Sequence, residues 1–213
     1  MSAPLTTLAS LRHLLAERFP QAAAAERRVL VTGVPAIDEV VGGLPCGAIT
    51  EVVCTAASCG SHLLIGELLR VTRAERGRIA LVDTHDNFDP SSCPEDDLKH
   101  LLWVRCGDPG LALPAADILT RDANFQLVAV DLRWASAVEL RKMPASFWYR
   151  LQRSVGPADL TLIVLTPRAT VPSARLRLQL DRSHGLVTLQ EARPVLALAL
   201  SPVVQRQRLT ASA

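Results

Sequence analysis

Short apolar runs and helix-spaced stretches alternate along most of this chain, and that alternation restricts the fold more than any single motif. Ala48–Val53, Arg78–Asp83, Leu101–Arg105, Leu127–Asp131 and Leu160–Leu165 are rich in Val, Ile and Leu and too short for helices. Between them lie helical patterns: Ser61–Arg76 with Leu64, Ile65, Leu68 and Val71 on one face, then Leu113–Asp122, then Ser136–Arg153 with an interruption near Pro144. Strands alternating with helices at this spacing predict a mostly parallel sheet covered on both faces. The last quarter changes character. Leu176, Leu178 and Leu180 alternate with Arg177 and Gln179, as in a strand buried on one side. Ser183-His184-Gly185 is a turn signal, and Leu186–Gln190 and Val195–Leu200 are expected to continue as strands of an antiparallel extension.

Upstream, Leu5–Arg18 places Leu8, Leu11, Leu14 and Leu15 at helical spacing, and Gln21–Arg28 is an Ala-rich connection. The expected organisation is an N-terminal helix and linker over 1–28, an α/β core over 29–204 and a polar tail over 205–213. A chain of 213 residues, 49% hydrophobic, has ample material for one buried core. Its net charge of +2 does not by itself argue for nucleic acid or a membrane as partner. Met1–Pro20 contains Arg12, His13, Glu17 and Arg18, so no export leader is expected, and no apolar run is long enough for a membrane span. A cytoplasmic location follows as the expectation. Cys46, Cys54, Cys59, Cys93 and Cys106 are odd in number and irregularly spaced, which suits reduced thiols. Cys54, Cys59 and His62 lack an evident fourth ligand, so no metal is expected. A nucleophile built from Cys59 with His62 or His85 would instead make the chain a cysteine-dependent enzyme.

The junction after the first core strand carries the most chemistry. Gly42-Gly43-Leu44-Pro45-Cys46-Gly47 turns into Ala48–Val53, and Cys54-Thr55-Ala56-Ala57-Ser58-Cys59-Gly60-Ser61-His62 then leads into an apolar helix. A phosphate-cradling loop belongs at such a strand-to-helix junction. That loop needs a Lys followed by Ser or Thr, and here the two positions are Ser61 and His62. The only lysines are Lys99 and Lys142, so no shift of alignment supplies the cation.

The order of these pieces resembles the RecA/Rad recombinase core over roughly residues 30–190. Three segments carry the resemblance: Gly33-Val34-Pro35-Ala36-Ile37-Asp38 running into Gly42-Gly43-Leu44-Pro45 and Gly47; Val82-Asp83-Thr84-His85-Asp86-Asn87-Phe88-Asp89-Pro90; and Leu127-Val128-Ala129-Val130-Asp131, which looks like a Walker B strand. Arg175-Leu176-Arg177-Leu178 looks like the first strand of the family's C-terminal hairpin. The resemblance implies a RecA-like fold whose ATP site has decayed. Cys54, Ser58, Gly60, Ser61 and His62 are a phosphate-loop remnant, His85 stands at the catalytic Glu position, and Asp131 alone is kept from the Mg²⁺ site. Thr166-Pro167 falls where the family has a polar γ-phosphate sensor. Groups that stabilise charge in phosphoryl transfer are each worth about 10²–10³ in rate, so losing several together implies a pseudo-ATPase with no cofactor. Weak ATP binding through the helix N–H groups stays open. Thr166–Ala174 is also short and Gly-poor for the family's DNA-clamping loop.

The length, the Gly-Leu-Pro-x-Gly-Ala entry, the degenerate loop and Leu101-Leu102-Trp103-Val104-Arg105 are similar to ImuA proteins, short RecA-like relatives encoded with a polymerase-like partner. This resemblance implies a non-catalytic hub in SOS-type error-prone translesion DNA synthesis, with a Y-family polymerase-like protein and a replicative-type error-prone polymerase as partners. The alternative is a recombinase relative that regulates recombination, touching RecA recombinase or single-stranded DNA. Candidate partner or DNA contacts are Trp134, Trp148 within Phe147-Trp148-Tyr149, Arg168, Arg175, Arg206 and Arg208, together with helix Leu5–Arg18.

Overall fold

The computed structural model describes residues 28–207. Seven strands form one sheet in the order β5-β4-β6-β7-β3-β8-β9. These are β3 (Ala48–Cys54), β4 (Ile79–Asp83), β5 (Leu101–Arg105), β6 (Leu127–Asp131), β7 (Thr161–Thr166), β8 (Leu176–Leu180) and β9 (Val203–Gln207). Every pairing is parallel except that of β9 with β8. A separate two-stranded ribbon joins β1 (Val29–Leu30) to β2 (Leu44–Pro45). The protein is thus an α/β structure with a mixed, mostly parallel sheet flanked by helices.

Strands β4, β6 and β7 are buried at every residue, as their unbroken apolar sequences require of strands covered on both sides. One apolar layer joins Leu64, Leu68 and Leu69 of α2 (Ser61–Ala74) and Ile37 of α1 (Pro35–Val41) to Val52, Leu81, Ala129 and Ile163 of the sheet. A second layer, on the opposite face, joins Ala112 and Ala116 of α4 (Pro109–Leu119), Leu140 of α5 (Ala137–Lys142) and Leu151 of α6 (Ala145–Ala158) to Ile49, Val82, Val130 and Leu162. The crossover carrying α2 runs towards β4, and the one carrying α4 runs from β5 back to β6. Opposite directions place the two helices on opposite faces when both crossovers are right-handed. A short helix α3 (Glu95–Leu98) precedes β5.

Several boundaries depart from the sequence expectation. Helix α4 begins at Pro109 rather than near Leu113, because Asp108 caps it by accepting from the Gly110 N–H at 2.7 Å and Pro suits the first helical turn. The expected interruption near Pro144 is present and splits the next stretch into α5 and α6, and a reciprocal Ser136–Glu139 capping box starts the first. The last quarter differs most. Leu186–Gln190 is a 3₁₀ turn and Arg193–Leu198 is a helix (α7), not a pair of strands. The apolar run from Val195 to Leu200 fits either period. Pro194 in the first turn, with Leu196, Ala197 and Leu200 buried together, decides for helix. Strand β8 joins the sheet parallel to β3, so β9 is the one antiparallel strand among the described residues of this sheet. Gln205–Gln207, expected in a polar tail, belong to that strand, where Arg177 pairs with Arg206.

Trp148, a candidate partner contact, is 1% exposed and packs in the second apolar layer, so it offers no surface to DNA or protein. Its neighbours along the helix turn elsewhere: Phe147 lies under the Arg150 guanidinium at 4.3 Å, and Tyr149 is half exposed. Successive helical residues point about 100° apart, which divides the aromatic triplet between core and surface. Helix Leu5–Arg18 and Arg208 lie outside the described residues. Truncating Trp148→Ala is expected to destabilise the fold by about 3–5 kcal/mol, against roughly 0.5 kcal/mol or less for Tyr149→Ala, both read from urea denaturation midpoints.

Candidate functional site

A cleft of about 610 Å³ opens at the carboxyl ends of the central strands, where β3 passes into α2. Open α/β sheets place ligands at such strand ends, where successive crossovers diverge. The loop between β3 and α2 lines it with Cys54, Ser58, Gly60, Ser61 and His62. Arg133 and Trp134 line it from the end of β6, and His184, Leu186 and Arg193 line it from the C-terminal segment.

The loop is tied to that segment. The Thr55 N–H donates to the Leu180 carbonyl at 3.1 Å, the His184 N–H to the Ser58 carbonyl at 3.0 Å, and the Ser183 hydroxyl to the Ala57 carbonyl. Ser58 (φ 52°) and Gly60 (φ 85°) both take left-handed backbone, and a Cβ on Gly60 would run into the Leu200 side chain. Gly60 is therefore fixed both by its dihedral and by the close approach of the chain after α7.

A cation reaches the start of α2 from just beyond β6. Arg133 follows Asp131 by two residues and turns back on it. Its Nε lies 2.9 Å from Oδ1 and 3.1 Å from Oδ2, and its Nη2 lies 2.5 Å from Oδ2. The same guanidinium donates to the Ser61 hydroxyl and, at 3.1 Å, to His62 Nε2. The two side chains are only 10% and 7% exposed. Burial and then the neighbouring Arg133 charge hold His62 below its ordinary pKa, so the ring is neutral and its Nε2 accepts. One guanidinium thus bridges Ser61 and His62 at the start of α2 to the Asp131 carboxylate at the end of β6. Sequence reasoning missed Arg133 because it searched the loop for the charge. An Arg two residues after a strand-terminal Asp was the available signal.

The remaining expected residues scatter. His85 is exposed beyond β4, its Nδ1 2.7 Å from the Thr84 hydroxyl, and Thr84 donates to the Asp131 carbonyl at 2.7 Å. Trp134 stands 66% exposed on the cleft rim. Arg168 is exposed on the β7–β8 loop, Arg175 is half-buried with its N–H on the Ile49 carbonyl at 2.9 Å, and Arg206 reaches the Pro172 carbonyl at 3.4 Å. These three arginines do not line the cleft. Thr166 does not line it either, because its hydroxyl donates at 3.0 Å to Glu51. Glu51 is fully buried in mid-β3 and also accepts from the Thr170 and Val171 N–H groups and from Arg177 Nε at 2.6 Å, which pins the loop that follows β7. The His62 Nε2 is engaged by Arg133 at 3.1 Å.

Among known proteins, no family model matches this chain, and no curated protein matches it. No helix among the described residues is long and apolar enough to cross a membrane.

Asp83, at the end of β4, shapes the segment that holds His85. Burial alone would raise its pKa, but the N–H groups of Phe88, Asn87 and His85 and the Trp103 indole outweigh this and hold the carboxyl below its ordinary value. A carboxyl depressed on folding contributes stability that is present above its unfolded pKa and lost as pH falls through the folded value. The stability difference between wild type and Asp83→Asn should therefore be full above about pH 5 and shrink on acidification below about pH 4, as read by melting temperature. Removing Arg133 should leave Asp131 buried without its counter-ion. Arg133→Ala is expected to cost about 3–5 kcal/mol in denaturant unfolding.

Proposed function

We propose that this is a RecA-like domain without ATPase chemistry, acting as an accessory hub of error-prone translesion DNA synthesis. The observation that supports the absence of catalysis is the Arg133 bridge. A P-loop ATPase holds its cation on the loop and leaves the Walker B carboxylate for Mg²⁺. Here Asp131 accepts three hydrogen-bond contacts from a guanidinium under 3.2 Å, and Ser61 and His62 are joined to the same group. Placing Mg²⁺ against that carboxylate requires breaking a buried ion pair, and His85 supplies no carboxylate to activate water.

The loop-bearing strand β3 sits between β7 and β8, and two strands separate it from β4. That is neither of the common doubly wound orders. The recombinase-like reading rests on the three segments named above, and the translesion role rests on the likeness to ImuA proteins. In that role the partners are a Y-family polymerase-like protein and a replicative-type error-prone polymerase. The exposed ring of Trp134 at the rim of the cleft is the contact residue best placed for such a partner.

Two measurements test this. Titration with Mg-ATP by calorimetry should give no Mg²⁺-dependent tight binding, and phosphate release should stay at the level of buffer. Affinity capture of the full chain from DNA-damaged cells should recover an error-prone polymerase or its relative, and Trp134→Ala should weaken the recovery without lowering the melting temperature. Recovery of recombinase or single-stranded DNA in place of a polymerase would move the assignment to control of recombination.

A further inference from the structure

A second pocket lies beside the other apolar layer and shares no lining residue with the cleft. Helix α5 ends at Lys142 and α6 starts at Ala145, so Met143 and Pro144 span the bend between them in extended backbone. Leu140, Met143 and Ala145 line one side of the pocket, and the β7–β8 loop lines the other through Ala169, Thr170 and Pro172. The cavity between them holds about 320 Å³, with Trp148 and Arg177 completing the lining. Its walls are fixed. Glu51 takes the Thr170 and Val171 N–H groups, and the Ser173 hydroxyl donates to the Trp148 carbonyl at 3.1 Å. Arg177 is held by Nε on Glu51 at 2.6 Å and by Nη2 on the Val171 carbonyl at 3.0 Å. An occupant therefore does not have to order the pocket in order to enter it.

The rim is basic. Arg141 and Lys142 stand between two lining residues, Arg168 precedes a third, and all three are exposed. Arg206 joins them from β9, its Nη1 on the carbonyl of Pro172. None of these four forms an ion pair among the described residues. Two carboxylates lie close by, and both are committed. Glu51 is paired with Arg177, and Glu139 is engaged by the Ser136 N–H at 2.7 Å and offsets Lys142. Arg141, Arg168 and Arg206 are left without a counter-charge around an apolar cavity.

We infer that this pocket takes one apolar side chain, such as leucine or phenylalanine, from an acidic peptide segment of a partner protein. The inference does not rest on the reading of the cleft. A cavity near the ~300 Å³ lower end of ligand clefts suits a side chain better than a cofactor. The arginines of the rim match carboxylates on either side of that anchor, because a guanidinium can bond a carboxylate through two parallel N–H groups. A nucleic-acid strand would meet the same charges but no stacking surface. Trp148 is 1% exposed, and no other aromatic side chain lines the pocket. The division of labour is that of a protein interface: the buried anchor holds the partner, and the charged rim steers it and sets which partner is accepted.

Met143 and Met1 are the only methionines, so carbon-13 labelling of methionine methyls in the full chain gives the pocket its own NMR signal. The probes are synthetic peptides with a central leucine, phenylalanine or alanine between runs of aspartate and glutamate, and a leucine peptide flanked by lysines. The leucine or the phenylalanine acidic peptide should shift Met143 saturably, and the alanine and lysine-flanked peptides should not. Added sodium chloride should weaken the binding. Arg168→Glu, at an exposed position, should weaken it about tenfold with the melting temperature unchanged. Ala169→Trp, also exposed, should fill the cavity and abolish the peptide-induced shift. Silence of Met143 towards every acidic peptide would overturn the inference, as would equal shifts from the leucine and alanine peptides or a response that survives Ala169→Trp. A shift caused by oligothymidylate with the peptides silent would give the site to nucleic acid instead. A shift on concentrating the protein alone would give it to a second copy of this chain, and either result overturns the inference.

Discussion

A carboxylate with no exposure sits midway along the loop-bearing strand, and much of the cleft depends on how it is held. Glu51 accepts the Arg177 guanidinium from β8, the Thr166 hydroxyl from the end of β7, and the N–H groups of Thr170 and Val171. These bonds join β3 to both strands that flank it and fasten the loop between those two. A buried charge is costly unless its lone pairs are filled, and here four donors fill them. With β3 fixed laterally, the chain leaving it at Cys54 has a defined exit, and the loop that follows can be positioned from the C-terminal side by Leu180, Ser183 and His184.

Around that exit the structure answers one electrostatic need with an unexpected group. A strand-to-helix junction with exposed N–H groups attracts negative charge. In this protein the carboxylate of Asp131, the Ser61 hydroxyl and the His62 ring are drawn together by a guanidinium from the end of β6. The planar fork of Arg133 suits this better than an ammonium would, because it can bond a carboxylate bidentately while its other edge reaches two more acceptors. The arrangement is self-sufficient.

The same junction concentrates sulfur. Cys54 and Cys59 flank the loop, and both line the cleft. The exposed Trp134 lies on the same cleft.

The sequence by itself determined the sheet and its burial. Runs such as Leu127–Asp131 and Leu160–Leu165 carry no alternation, and only a strand covered on both faces accommodates that, so the parallel core could be read directly. It also determined that the loop lacks its own lysine, because a residue type absent from the segment cannot be restored by folding. Tertiary structure decided three things that local pattern leaves open. The run Val195–Leu200 fits two periods, and its packing against α2 and Gly60 selected a helix. The Phe147-Trp148-Tyr149 triplet could face either way, and docking of α6 on the sheet buried the tryptophan. Arg133 is distant in sequence from Ser61 and His62. Only the order of strands, which brings the ends of β3 and β6 to one cleft, let its guanidinium reach both side chains.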